Sequence, residues 1–132
     1  MSSVNITRVE DVMTATTLVV DGLASVRTAM ELMRREGVNS LIVDKRNEDD
    51  EYGMISVHDI SEKVIGIDRS IDRTSVYQVM SKPVLSVHRR MNVKYALRLL
   101  TRFNLSRTLV QEHGNMVGIV TLRDMTVRYE PD

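Results

Sequence analysis

Gly53-Met54-Ile55-Ser56-Val57-His58-Asp59-Ile60 is matched 65 residues later by Gly118-Ile119-Val120-Thr121-Leu122-Arg123-Asp124-Met125. Both stretches run glycine, two apolar residues, a hydroxyl, two variable positions, Asp, apolar. Working outward, the two halves stay in step at an offset of 67: Val12-Met13-Thr14 falls on Val79-Met80-Ser81, and Val26, Ala29, Met30 and Met33 fall on Val93, Ala96, Leu97 and Leu100. Val38–Val43 falls on Leu105–Val110. The change of offset places two extra residues of the first copy within the charged stretch Asp44–Tyr52. A repeat of this length is one supersecondary unit used twice.

Each copy reads as strand, helix, strand, strand, helix. Leu18–Val20 is a short strand, and Ser25 caps a helix to Arg35 or Glu36 whose apolar face recurs at helical spacing. Gly37 suits the left-handed residue just past that helix, and Asn104 takes its place in the second copy, where Asn92 is the cap. Val38–Val43 and Met54–Val57 are strands, and a helix from about Asp59 to Ile67 closes the copy. Ser75 is expected to cap a helical turn at Val76–Val79, and Met1–Thr7 to be loosely held. One such unit has a thin core, so two are expected to pack sheet against sheet as a pseudo-two-fold pair.

Composition narrows the function. The 132 residues are 42% hydrophobic and 27% charged, with 18 Lys+Arg against 18 Asp+Glu. That is a globular profile with zero net charge, which argues against nucleic-acid binding by bulk charge. With no cysteine, disulfides, thiolate catalysis and Cys-based metal sites are excluded. No apolar run approaches a membrane span and no secretory leader is evident, so the expected compartment is cytoplasmic.

The repeated ending carries the candidate chemistry. A strand stops at Ser56 or Thr121 and a helix starts just after it, so free N–H groups, a hydroxyl and a carboxylate converge. Asp59 or Asp124 can accept from a pair of ribose hydroxyls, and His58 or Arg123 can approach a phosphate. The same Ser/Thr-x-x-Asp spacing is also a capping box that needs no ligand. Ser56, His58 and Asp59 hold the letters of a hydrolase triad, but Thr121, Arg123 and Asp124 do not repeat it, so no catalytic residue is assigned. No metal-ligand cluster is assigned either.

The pattern resembles a tandem pair of cystathionine β-synthase (CBS) domains, a Bateman module. Asp11–Thr14, Ala29, Met30, Val38–Val43 and Gly53–Asp59 carry it in the first half. Gln78–Ser81, Ala96, Leu105–Val110 and Gly118–Asp124 carry it in the second. The resemblance implies an α/β fold of two βαββα units: domain 1 at 8–67, a linker at 68–74, domain 2 at 75–129 and an N-terminal tail at 1–7. It implies an adenosine-containing ligand in the inter-domain clefts, of the AMP, ADP, ATP, S-adenosylmethionine or NAD type, and no obligatory cofactor. Thr14, Thr16, Ser81 and Pro83 would line the adenosine. Asn39, Ser40, Ser106 and Arg107 would meet adenine, Ser56 and Thr121 phosphate or ribose, and Asp59 and Asp124 the ribose hydroxyls. Arg107 stands where a small residue is common, so it either clamps a phosphate or fills the pocket. Ile42 and Leu109 replace a frequent proline. The chain closes soon after Met125, so the expectation is a stand-alone regulatory module, not an enzyme, acting on a protein in trans. A homodimer is expected, with Ile60, Val64, Ile65, Val127 and Tyr129 as contact candidates. The alternative is a structural or dimerisation module without nucleotide.

Overall fold

The structure is a computed structural model and describes residues 6–15, 18–82 and 84–131. Its elements follow the repeat. After helix α1 (Val9–Val12), the first copy runs β1 (Val19–Val20), α2 (Val26–Glu36), β2 (Ser40–Val43), β3 (Gly53–Ser56) and α3 (Val57–Lys63). The second runs β4 (Ser86–His88), α4 (Val93–Arg102), β5 (Arg107–Glu112), β6 (Asn115–Thr121) and α5 (Leu122–Val127). Each copy makes a three-stranded sheet, β1-β2-β3 and β4-β5-β6, with the first pair parallel and the second antiparallel. The parallel pairs need crossovers, which α2 and α4 supply.

Local chemistry fixes the helix ends. Ser25 accepts from Thr28 N–H at 3.1 Å, and Asn92 from Lys94 N–H at 2.9 Å. Gly37 takes φ +66° and Asn104 φ +54°, so both copies stop their first helix with a left-handed residue. Ile42 and Leu109 lie in regular ladder pairs, opposite Met54 and Ile119. A proline there would offer no N–H to the ladder. The copies differ between their last two strands. His113 and Gly114, both at positive φ, close β5–β6 as a tight hairpin, whereas residues 44–52 form a longer charged loop between β2 and β3.

Two compact units result, and they are offset from the sequence repeat. One is Leu18–Val84; the other joins Met1–Thr17 to Leu85–Asp132. The cause lies in the segment that precedes each copy. Val26 N–H donates to the Thr74 carbonyl at 2.8 Å and Arg27 N–H to the Ile71 carbonyl at 3.0 Å. Those bonds satisfy the free donors at the start of α2, and Arg27 also pairs with Asp72. The equivalent bond at α4 runs from Val93 N–H to the Thr7 carbonyl at 2.9 Å. Thr7 is therefore tied down, and its hydroxyl also donates to the Glu130 carbonyl at 3.1 Å; residues 1–5 lie outside the described residues. At Ser75 the cap is reversed, since its N–H donates to Gln78 Oε1 at 2.8 Å.

The cores repeat as well. Val76 and Val79 pack with Val26, Ala29, Met33, Leu41, Ile55 and Ile60 in Leu18–Val84. Val9 and Val12 pack with Val93, Ala96, Leu100, Val110, Val120 and Met125 in the other unit. Beyond these valines the chain passes over a glycine. Thr14 and Ile119 exchange both backbone bonds at 2.9 Å, and Ser81 and Met54 do so at 2.8 and 2.9 Å. A Cβ on Gly118 would lie 2.6 Å from the Thr14 carbonyl oxygen, while one on Gly53 would lie 2.9 Å from Met80 Sδ and 3.1 Å from the Ser81 oxygen. The first obstacle is backbone; the second is led by a flexible side-chain atom. Gly118→Ala should therefore cost about 1–3 kcal/mol and Gly53→Ala distinctly less. Urea denaturation of the two variants measures this, and equal losses would contradict the close-approach reading.

Candidate functional site

Each unit carries its own strand–helix junction. In Leu18–Val84, Ser40 opens β2 directly opposite Ser56, the last residue of β3. Asn39 holds the junction through its carbonyl, which accepts from Val57 N–H at 2.8 Å. In the other unit Arg107 is opposite Thr121, and the Ser106 carbonyl accepts from Leu122 N–H at 2.8 Å. Thr14 and Ser81 bridge to Ile119 and Met54, two residues before Thr121 and Ser56. The structure thus gathers Asn39, Ser40, Ser56, Asp59 and Ser81 around one junction, and Thr14, Ser106, Arg107, Thr121 and Asp124 around the other. Thr16 and Pro83 lie outside the described residues.

The two carboxylates are held differently. Ser56 Oγ accepts from Asp59 N–H at 3.1 Å, while Asp59 Oδ2 accepts from Ser56 N–H at 3.1 Å and from Ser56 Oγ at 2.9 Å. This is a complete capping box. Lys63, one turn on, sets its ammonium 3.4 Å from Asp59 Oδ1. At α5 only half of the box forms: Thr121 Oγ1 accepts from Asp124 N–H at 2.9 Å. Among the described residues nothing donates to the Asp124 carboxylate. The residue equivalent to Lys63 is Arg128, and its guanidinium goes to the Asp11 and Val12 carbonyls at 3.1 and 3.5 Å. Lys63 and Arg128 were missed from sequence, although both stand four residues after the repeated Asp, a spacing that puts side chains on one helix face.

Two buried side-chain atoms among the described residues have no hydrogen-bond partner: Ser40 Oγ and Arg107 Nε. They occupy the same position in the two copies. Burial lowers the pKa of the Arg107 guanidinium from its usual value, and the Asp124 carboxylate works against that shift. The guanidinium remains charged and is a planar donor.

Other candidates stand apart. His58 is exposed and turns to Glu62, 3.0 Å away, while Ser56 Oγ faces Asp59, so the three make no relay. Arg123 is exposed. Among the described residues no group of three His, Asp or Glu could hold a metal ion, and no helix is long and apolar enough to cross a membrane. Helices α3 and α5 have seven and six residues, so their dipoles add little to anion binding. Ile60 and Val64, expected as contact candidates, are instead buried in the core of their own unit; Ile65 and Val127 are exposed, and Tyr129 packs against its own core.

The CBS domain profile matches residues 9–66 and 76–129. The chain belongs to the CBS domain family. An uncharacterised Methanopyrus kandleri protein, MK0525, is 31% identical over 108 residues, which is 79% of this chain and 54% of that protein. The chain therefore spans about half the length of that relative. Among solved structures, the hexameric CBS-CP12 protein from bloom-forming cyanobacteria superposes with a TM-score of 0.87 at 28% identity, over 96% of this chain and 74% of that one. The CBS pair of MJ0100, solved with 5′-methylthioadenosine and S-adenosylmethionine, gives a TM-score of 0.79 at 21% identity over 94% and 96%. That last likeness is one of fold.

The unequal carboxylates make a stability prediction. Asp59→Ala removes a reciprocal cap and an ion pair and should cost about 1 kcal/mol, whereas Asp124→Ala should cost a few tenths at most, roughly the range of an exposed charge change. Chemical denaturation reads both. A larger loss at Asp124 would contradict the geometry.

Proposed function

We propose that this CBS pair is a regulatory module that binds an adenosine-containing ligand at its strand–helix junctions. The observation that supports it most is the pair of buried, unpartnered polar atoms, Ser40 Oγ and Arg107 Nε, at one repeat position. Buried polar atoms are nearly always hydrogen-bonded, and an unmet one costs about 1–3 kcal/mol. Two at equivalent places suit groups that a guest satisfies. The AMP, ADP, ATP, S-adenosylmethionine and NAD types remain the candidate class.

The Arg107 junction offers complementary chemistry for such a guest. Asp124 is an uncommitted acceptor for ribose hydroxyls. Arg107 is a half-buried cation whose Nε is buried; it would meet phosphate oxygens through charge-assisted bonds, so it aids binding. A hydroxyl from Thr121 and the backbone near Thr14 complete the set, with Ser106 at the strand start. At the Ser40 junction, a ribose would first have to displace Ser56 and Lys63 from Asp59. The Arg107 junction is therefore the tighter of the two. The self-sufficient cap at Ser56 and Asp59 favours the alternative reading, an unliganded structural role, for the Ser40 junction alone.

Regulation requires that the ligand bind one arrangement of the protein better than another. The arrangement could be conformational or oligomeric, with a homodimer as the simplest assembly and a regulated protein in trans as the readout. A thermal-shift panel of the five ligands tests the reading. At about a hundredfold over its dissociation constant a ligand should add about 2.7 kcal/mol, which raises the midpoint by a few degrees. Arg107→Ala should abolish the preference for phosphate-bearing ligands over adenosine. Silence across the panel would leave only the structural role.

A further inference from the structure

Within Leu18–Val84 the junction stands at the first residue of β2, Ser40, and a cavity of about 480 Å³ lies past the opposite end of that strand. Gly22 and Leu23, just after β1, and Asp44 and Arg46, just after β2, line it together with Tyr77, Met80 and Lys82. The two strands are parallel. Ligands of α/β sheets are commonly held beyond the carboxyl ends of parallel strands, and small-molecule pockets run from about 300 to 1,000 Å³.

The second copy closes the same place with side chains. Glu10 N–H donates to the Arg89 carbonyl at 2.8 Å as Tyr77 N–H donates to the Gly22 carbonyl at 2.9 Å, so Arg89 stands for Gly22 and Glu10 for Tyr77. The Arg89 guanidinium lies 3.1 Å from Glu10 and 3.4 Å from Glu112. In the first copy Gly22 brings no side chain. Lys45, at the position of Glu112, lies over the Tyr52 ring instead, 5.4 Å from its centre. The end of the first sheet is therefore open, and Leu23 and Tyr77 on its wall are exposed.

The polar groups of the cavity carry both signs and are only partly committed. Asp50 takes Lys82 Nζ at 2.7 Å and Arg46 Nε at 3.2 Å, which fixes the two cations on one carboxylate. The terminal nitrogens of Arg46 and the remaining ammonium protons of Lys82 have no partner among the described residues. Among the described residues no hydrogen bond or ion pair reaches the Asp44 carboxylate.

We infer that this cavity binds a free α-amino acid with a bulky apolar side chain. The carboxylate meets Arg46 and Lys82, the ammonium meets Asp44, and the side chain packs on Leu23, Tyr77 and Met80. A guest with only a negative charge would face Asp44, and one with only a positive charge would face the two cations. A zwitterion satisfies both signs with charge-assisted bonds. The site is separate from the strand–helix junctions and does not rest on the adenosine reading.

The test is calorimetric titration of the nucleotide-free chain with leucine, methionine and phenylalanine through the millimolar range. At least one should bind. The analogues of the best binder that lack the ammonium or the carboxylate should each bind about tenfold more weakly, the loss of one charge-assisted bond. Gly22→Leu should abolish binding and keep the fold. A Cβ there lies 3.5 Å from Tyr77 Cβ and 3.6 Å from Val43 Cγ1, which are ordinary contacts, and Gly22 is not at positive φ. Asp44→Asn should weaken binding about tenfold. Arg107→Ala, at the junction of the other unit, should leave it unchanged. No binding by any of the three amino acids overturns the inference. So does an analogue lacking either charge that binds equally well, wild-type affinity in Gly22→Leu or Asp44→Asn, or a loss of binding in Arg107→Ala.

Discussion

The backbone of the segment after each Val-Met pair lies close against a glycine, and at Gly118 it leaves no room for a methyl group. Gly118 faces the Thr14 carbonyl, and Gly53 faces Met80 and Ser81. This approach lets Thr14 and Ser81 hydrogen-bond to the strands that end in Thr121 and Ser56. It also seats Val9 and Val12, or Val76 and Val79, in the core beside those strands. The junction, its hydroxyl and its carboxylate are thereby built next to a second piece of backbone. With a side chain at Gly118, the segment would have to shift, and that junction would lose one of its walls.

Much of this was legible in sequence because it is local. The helix faces, the caps at Ser25 and Asn92 and the left-handed stops at Gly37 and Asn104 follow from spacing and from residue chemistry. The repeat gave the order of elements along the chain twice. The offset between repeat and unit was not legible. It depends on Thr7 and Thr74 lending carbonyls to helices that begin at Val93 and Val26, and no local pattern announces such bonds. The burial of Ile60 and Val64 was missed for a related reason: on a short helix, an apolar residue that covers its own sheet looks the same as one that awaits a partner.

The candidate site shows where repetition stops. Sequence presents Asp59 and Asp124 as equals. In the structure one is committed to Ser56 and Lys63, and the other is left beside Arg107. Lys63 and Arg128 both reach the carbonyl of the repeated valine, Val79 or Val12. Only the lysine also lies within ion-pair distance of the aspartate. A cap bond and an exposed ion pair together amount to roughly 1–2 kcal/mol, enough to separate two otherwise similar sites by about a factor of ten.

The most direct measurement is a crystal structure of the chain grown with saturating AMP. The ribose hydroxyls should lie on Asp124, with a phosphate oxygen within hydrogen-bond distance of Arg107 Nε. A guest seated elsewhere, with Arg107 Nε still unpaired and Asp124 turned from it, would contradict the account.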